Sequence, residues 1–236
     1  MVIEELVKRS PLRILENSIH GGLGKGNIGV LASRKGVGKT ACLVHIATDK
    51  LFQDKPVIHV SYSSRVDHII RWYEDIYREL ARGLDLEPDA EIHDELVRKR
   101  VIMNFNQEGT RTEQVLRSLE AMIQHGRFAA ETIIADGFSF PQSSPDDLRR
   151  FKEFAGRMQL ELWFSASLKG PEPLFDEQGI PGELRPCLDH IDVLITLRHW
   201  NDRVQLRLIK DHGYTSPPDL KLSLDPTTLL IANPEP

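Results

Sequence analysis

Residues 28–41, I-G-V-L-A-S-R-K-G-V-G-K-T-A, constrain the fold more than any other stretch of the chain. Ile28, Val30, Leu31 and Ala32 make an apolar run of the length of a buried strand. The segment from Ser33 to Lys39 is short, small and basic, which suits a loop. From Thr40 onward, Leu43, Ile46, Ala47 and Leu51 recur at helical spacing. Strand, glycine-rich loop ending in Gly-Lys-Thr, then helix is the layout of a phosphate-binding loop. Gly36 and Gly38 let the backbone curl, so that consecutive N–H groups point inward at an anion. The helix start adds the positive end of its dipole. Ser33, Arg34, Lys35, Gly36, Val37, Gly38, Lys39, Thr40 and Ala41 are therefore the expected phosphate-binding residues. Lys39 is expected to reach the β- and γ-phosphates, and the Thr40 hydroxyl to bind Mg²⁺. The usual G-x-x-x-x-G-K-[ST] pattern has glycine where this chain has Ser33. The loop forms only if that position needs no positive φ. The alternative is a basic turn between a strand and a helix.

A second stretch, E-T-I-I-A-D-G at 131–137, reads as an apolar strand ending in Asp136. A carboxylate at such a strand end, beside the loop, holds Mg²⁺ through water. The plainer alternative is that Asp136 starts a turn. Between the two stretches, residues 57–62 read as a strand. A long helix to about Leu80 then carries Ile69, Tyr73, Ile76 and Tyr77. Trp72, Tyr73 and Tyr77 are expected in the core rather than as a base-stacking platform. Ser64 is an expected helix cap, as is Thr110 or Thr112 for the helix before Gly126, and Ser144-Pro145 opens another. The strand at 160–167 ends in the hydroxyls Ser165 and Ser167, and a strand terminus rich in serine needs no function. Residues 171–189 read as a connector rich in Pro and Gly. Strands at 190–198 and 203–210 join through Trp200-Asn201-Asp202 as a hairpin, and a last hairpin follows at 220–232.

A net charge of -5 argues against bulk electrostatic attachment to nucleic acid, and Arg98, Arg100, Arg149 and Arg150 are scattered. The two cysteines, Cys42 and Cys187, match no metal or redox spacing and fit a reducing compartment. The first residues are too charged for a signal peptide, and no apolar run spans a membrane. A cytoplasmic protein with no membrane partner is expected.

The run Gly21-Gly22-Leu23 with Gly26, feeding directly into the loop strand, resembles the entry segment of KaiC-like and RecA-like ATPases. The late antiparallel strands extend the resemblance over most of the chain. It implies an α/β, three-layer P-loop NTPase fold of the RecA-like type. Its mainly parallel sheet would be extended by antiparallel C-terminal strands. A single domain 1–236 is expected: an entry segment 1–27, a core 28–170, the connector 171–189 and the C-terminal strands 190–236. The resemblance implies ATP and Mg²⁺ as cofactors, with Thr40 and Asp136 at the metal and Ser165 or Ser167 where relatives sense the γ-phosphate. It also implies a homo-oligomer, ring or filament, or a protein partner; nucleic acid is a further candidate.

Two departures bear on activity. Relatives end the next strand in a glutamate that orients water, where this chain has Ser63 or Ser64. A serine hydroxyl cannot take a proton at neutral pH without a base. Relatives also offer Lys-x-Arg to the neighbour's γ-phosphate; here Lys210 matches and His212 replaces Arg. Lys39, Asp136 and Lys210 are the candidate catalytic residues. Hydrolysis is expected to be weak or partner-dependent. The alternatives are an ATP-binding switch or scaffold that scarcely hydrolyses, a small-molecule kinase, and a MinD- or ParA-like ATPase. The last has a signature Lys where Arg34 stands.

Overall fold

The structure is a computed structural model and describes residues 2–62, 67–83, 90–106, 109–170, 174–214 and 219–233. Helices α1 (Val2–Arg9) and α2 (Leu12–Ser18) open the chain and are separated at Ser10-Pro11. Then come β1 (Ile28–Ser33), α3 (Lys39–Phe52), β2 (Val57–Ser61), α4 (Asp67–Arg82), α5 (Ala90–Arg98) and β3 (Arg100–Asn104). The alternation continues through α6 (Thr112–Gln124), β4 (Thr132–Asp136), α7 (Pro145–Met158) and β5 (Glu161–Ser167). A 3₁₀ stretch (Gly182–His190) leads into β6 (Val193–Trp200), β7 (Arg203–Asp211), β8 (Leu222–Leu224) and β9 (Ile231–Ala232).

These strands form one nine-stranded sheet in the order β3-β2-β4-β5-β1-β6-β7-β8-β9. It is parallel from β3 across to β6 and antiparallel from there on. Helices cover both faces of the parallel part, so β1 is buried along its whole length and reads as a continuous apolar run. Alternate residues serve opposite layers. Leu31 packs with α1 to α5, whereas Ile28, Val30 and Ala32 pack with α6 and α7. The result is a three-layer α/β fold with antiparallel C-terminal strands.

The α7 layer fixes the chain after Asp136. Ser144 caps α7 in a reciprocal capping box with Asp147, and Pro145 sits in the first turn. Its buried stripe includes Phe151, whose ring meets Phe138 at 5.6 Å and Phe164 at 5.1 Å, both edge-on. Each such ring contributes about 1.5–3 kcal/mol by burial. Together they hold the turn that carries Asp136 and Gly137 against β5.

The fold differs from expectation in three places. α2 lies inside the expected glycine-rich entry; it is short, and only Leu12 and Leu15 are buried on it. The connector is in part a 3₁₀ helix, anchored by buried Leu184 and Cys187. The N-cap of α6 is Arg111, with no side-chain cap bond, and Thr112 is already helical. The expected cap Ser64 lies outside the described residues. No described helix is long and apolar enough to cross a membrane.

Candidate functional site

The loop between β1 and α3 leaves the sheet at the carboxyl edge of the parallel strands. Gly36 and Gly38 take left-handed φ values of 85° and 116°. That is the curl required for adjacent N–H groups to face one way. Ser33 has ordinary strand geometry, with negative φ and Ser167 opposite it in register. A side chain therefore costs nothing where the usual pattern has glycine. Gly38 is constrained twice, since a Cβ there would come within 2.2 Å of the Leu224 Cδ2. β8 thus lies directly against the loop.

Lys39 folds back onto its own loop. Its Nζ donates to the carbonyls of Ser33 and Arg34 at 3.1 and 2.8 Å, and to the Ser33 hydroxyl at 3.1 Å. Burial pulls its pKa down from 10.5 to about 8, partly opposed by the Asp136 charge. The Thr40 hydroxyl donates to Asp136 Oδ2 at 2.9 Å. The Ser165 hydroxyl donates to Asp136 Oδ1 at 2.7 Å and accepts the Gly137 N–H at 2.7 Å. β4 is not the neighbour of β1, because β5 lies between them. Ser165 of β5 therefore bridges the gap, and Asp136 reaches across it to the start of α3.

Around these groups lies a cavity of about 760 Å³. Lys35 to Thr40, Asp136, Ser165 and Ser167 give it a polar lining. Val204, Leu224, Pro226 and Leu229, from the C-terminal strands and their turn, make an apolar wall that meets the loop where Leu224 lies against Gly38. Tyr62, Trp72 and Lys169 also border it. None of these was singled out from sequence as a site residue. Trp72 was expected in the core with Tyr73 and Tyr77; those two are buried, while Trp72 is half-exposed at the cavity. The apolar wall carries no local signal, since Val204 and Leu224 have the spacing of any strand core.

Other expected residues sit elsewhere. Ser33, Arg34 and Ala41 do not line the cavity: Ser33 lies under Lys39, Arg34 is exposed, and Ala41 is in the core. Lys210 stands opposite Leu194, at the start of β6, and so at the amino edge of the sheet, away from the loop. Its Nζ donates to the Leu188 carbonyl at 2.8 Å. Burial lowers its pKa, against the pull of Asp192 and Asp189. His212 lies at the same edge, 2.6 Å from Asp211 and 3.2 Å from the Leu23 carbonyl. Ser63 and Ser64 lie outside the described residues. No protein-family model matches the chain, and no curated protein matches its sequence.

Proposed function

We propose that this chain is an ATP- and Mg²⁺-binding P-loop protein of the RecA- and KaiC-like kind. Its hydrolysis would be weak or dependent on a partner. The observation that carries the reading is the Thr40–Asp136 contact of 2.9 Å beside a loop curled at two left-handed glycines. One hydroxyl and one carboxylate suit Mg²⁺, which keeps several waters and takes its remaining ligands from phosphate. Among the described residues no cluster of three or more His, Cys, Asp or Glu offers a denser metal cage. Thr40 and Asp136 would hold the ion, which supplies charge neutralisation at phosphate oxygens. The loop N–H groups and Lys39 would bind the phosphates, Lys39 exchanging two carbonyls and a hydroxyl for a stronger anionic partner. The flat face of a purine fits the wall of Val204, Leu224, Pro226 and Leu229.

Asp136 is the only carboxylate among the described residues that line the cavity. Both its oxygens already accept hydrogen bonds, which makes it a poor base. That favours slow turnover, and leaves a binding switch or scaffold as the second reading. Lys210 and His212 face away from their own cavity, so a part in nucleotide chemistry requires a neighbouring copy of the chain.

Titration calorimetry with Mg·ATP on the wild type and on Lys39→Ala tests the proposal. Saturable heat is expected in the wild type, weakened at least tenfold in the variant. Tight binding with background turnover, alone and in oligomers, selects the switch. No heat with any nucleoside triphosphate sinks the reading.

A further inference from the structure

β6 and β7 form a hairpin whose two faces differ in kind. Leu197, Val204, Leu206 and Leu208 belong to the core layer that includes α3. The alternate residues point the other way. By register, the rungs of that outer face are Thr196 with Arg207, Arg198 with Gln205, and Trp200 with Arg203. An antiparallel sheet with one face on the core ordinarily turns a mixed polar face to water. Here the charges are all of one sign. Three arginines and no acid stand on three successive rungs, in a chain whose net charge is -5. None of the three pairs with an acid among the described residues. The acids of the flanking turns do not offset them. Asp176 is taken by Arg185 and by the N–H groups of Gln178 and Ile180, each at 2.9 Å. Glu177 and Asp202 are exposed and form no ion pair with any of the three.

Arg198 is half-buried and held in place. Its guanidinium carbon lies 3.8 Å from the centre of the Phe175 ring, and a Cβ on Gly179 would come within 3.7 Å of its Nη2. Nε and Nη2 are buried without a hydrogen-bond partner. Burial lowers its pKa, and the charge of Arg207 lowers it further. A partly desolvated cation that no acid offsets strengthens the pull of the whole face on an anion. Arg203 and Arg207 are exposed beside it and able to make direct contacts. At the tip, Trp200 is 69% exposed, more than any other large apolar side chain among the described residues. Tryptophan beside arginine is the composition of a protein-binding hot spot.

The spacing selects the occupant. Successive rungs are about 6.6 Å apart, the distance between alternate side chains of an extended chain. Arg207, Arg198 and Arg203 therefore match carboxylates at every second residue of a segment laid along the hairpin. A nucleic-acid strand also repeats its charge, but surfaces that bind one present aromatic rings in series. Trp200 is the one aromatic residue on these rungs, and the Phe175 ring is covered by Arg198. A long polyanion would also meet a net negative chain beyond the three arginines. We propose that the outer face of the β6–β7 hairpin docks an extended acidic segment of a partner protein. Arg203 and Arg207 hold its carboxylates, Arg198 adds its charge from beneath, and Trp200 covers an apolar side chain at its end. The proposal does not depend on ATP binding in the cavity.

Fluorescence anisotropy of the full chain tests it with three labelled probes: a peptide of alternating Glu and Ser ending in Leu, the same peptide with Gln for Glu, and an oligothymidylate. Saturable binding of the Glu peptide is expected, about tenfold tighter than that of the Gln peptide and weaker at high salt. Arg203→Gln with Arg207→Gln should weaken it about tenfold, as should Trp200→Ala. The melting temperature should stay unchanged, since all three side chains are exposed. No saturable binding of the Glu peptide, equal binding of the Gln peptide, or binding that survives the double variant overturns the proposal. Tighter binding of the oligothymidylate, lost in the same variant, overturns it in favour of nucleic acid. Self-association of the wild type that the same variant abolishes, read by sedimentation, overturns it in favour of a second copy.

Discussion

Two glycines of one loop, Gly36 and Gly38, are expected to respond very differently to the same added methyl group. At Gly36, φ is 85° and a Cβ would meet nothing within 4 Å. Gly36→Ala therefore costs only the left-handed backbone, about 1–2 kcal/mol. At Gly38, φ is 116° and the Cβ would lie 2.2 Å from the Leu224 Cδ2. Leu224 is 1% exposed, so its side chain has to move within a packed core. Forcing it off its rotamer adds about 0.5–1.5 kcal/mol. Gly38→Ala should thus cost about 1.5–3.5 kcal/mol in all. For a chain of this length each kcal/mol lowers the melting temperature by about 2–4 °C. The expected drops are then about 2–8 °C for Gly36→Ala and about 3–14 °C for Gly38→Ala. Urea unfolding monitored by circular dichroism gives both free energies. A cycle with Leu224→Ala isolates the clash, because the Gly38→Ala penalty should shrink by about 1 kcal/mol once the Cδ2 is gone. Equal penalties at the two glycines, or a Gly38→Ala cost indifferent to Leu224, would refute the packing of β8 against the loop.

Two further outcomes follow from the same loop. Burial lowers the Lys39 pKa to about 8, so between 8 and 10.5 the unfolded chain holds a proton that the folded chain has released. That group makes stability rise with pH across this window, and below about 8 its buried charge costs in full. The urea midpoint of the wild type, taken relative to Lys39→Met, should therefore climb from pH 8 to 10; a flat difference contradicts the burial. Ser33→Gly restores the usual loop pattern but removes a hydroxyl 3.1 Å from the Lys39 Nζ and loosens a buried strand. It should lower stability by about 0.5–1 kcal/mol and leave ATP affinity within about twofold, both measured by unfolding and calorimetry. A tenfold gain in affinity would mean that Ser33 distorts the loop.

How far the chain could be read in advance depends on whether a feature is local. β1, β2, β4 and β5 are apolar runs between turn residues, and α4 and α7 carry apolar stripes at helical spacing, so their positions follow from periodicity. The cap of α7 is equally local, being set by Ser144, Pro145 and Asp147 alone. α2 escapes because about two turns of helix with two buried leucines, placed between a proline and four glycines, have no period to detect. The loop between β1 and α3 is local too, down to which glycines need positive φ.

The rest of the site is made by strand order and register, which no window of sequence contains. A strand ending in aspartate is common, and what gives Asp136 its place is that β4 pairs with β5, and β5 with β1. Ser165 then falls in the gap, so a residue at an ordinary strand terminus becomes the link that orients the carboxylate toward Thr40. The same reversal of direction at β6 and β7 separates two residues of one strand. Val204 is carried to the carboxyl edge, where it faces the cavity, and Lys210 to the amino edge, where it meets Leu188. A lysine near the end of a late strand is therefore no guide to the cavity of its own chain. Its distance from the loop is set by antiparallel pairing, which holds the lysine and the loop at opposite edges of the sheet.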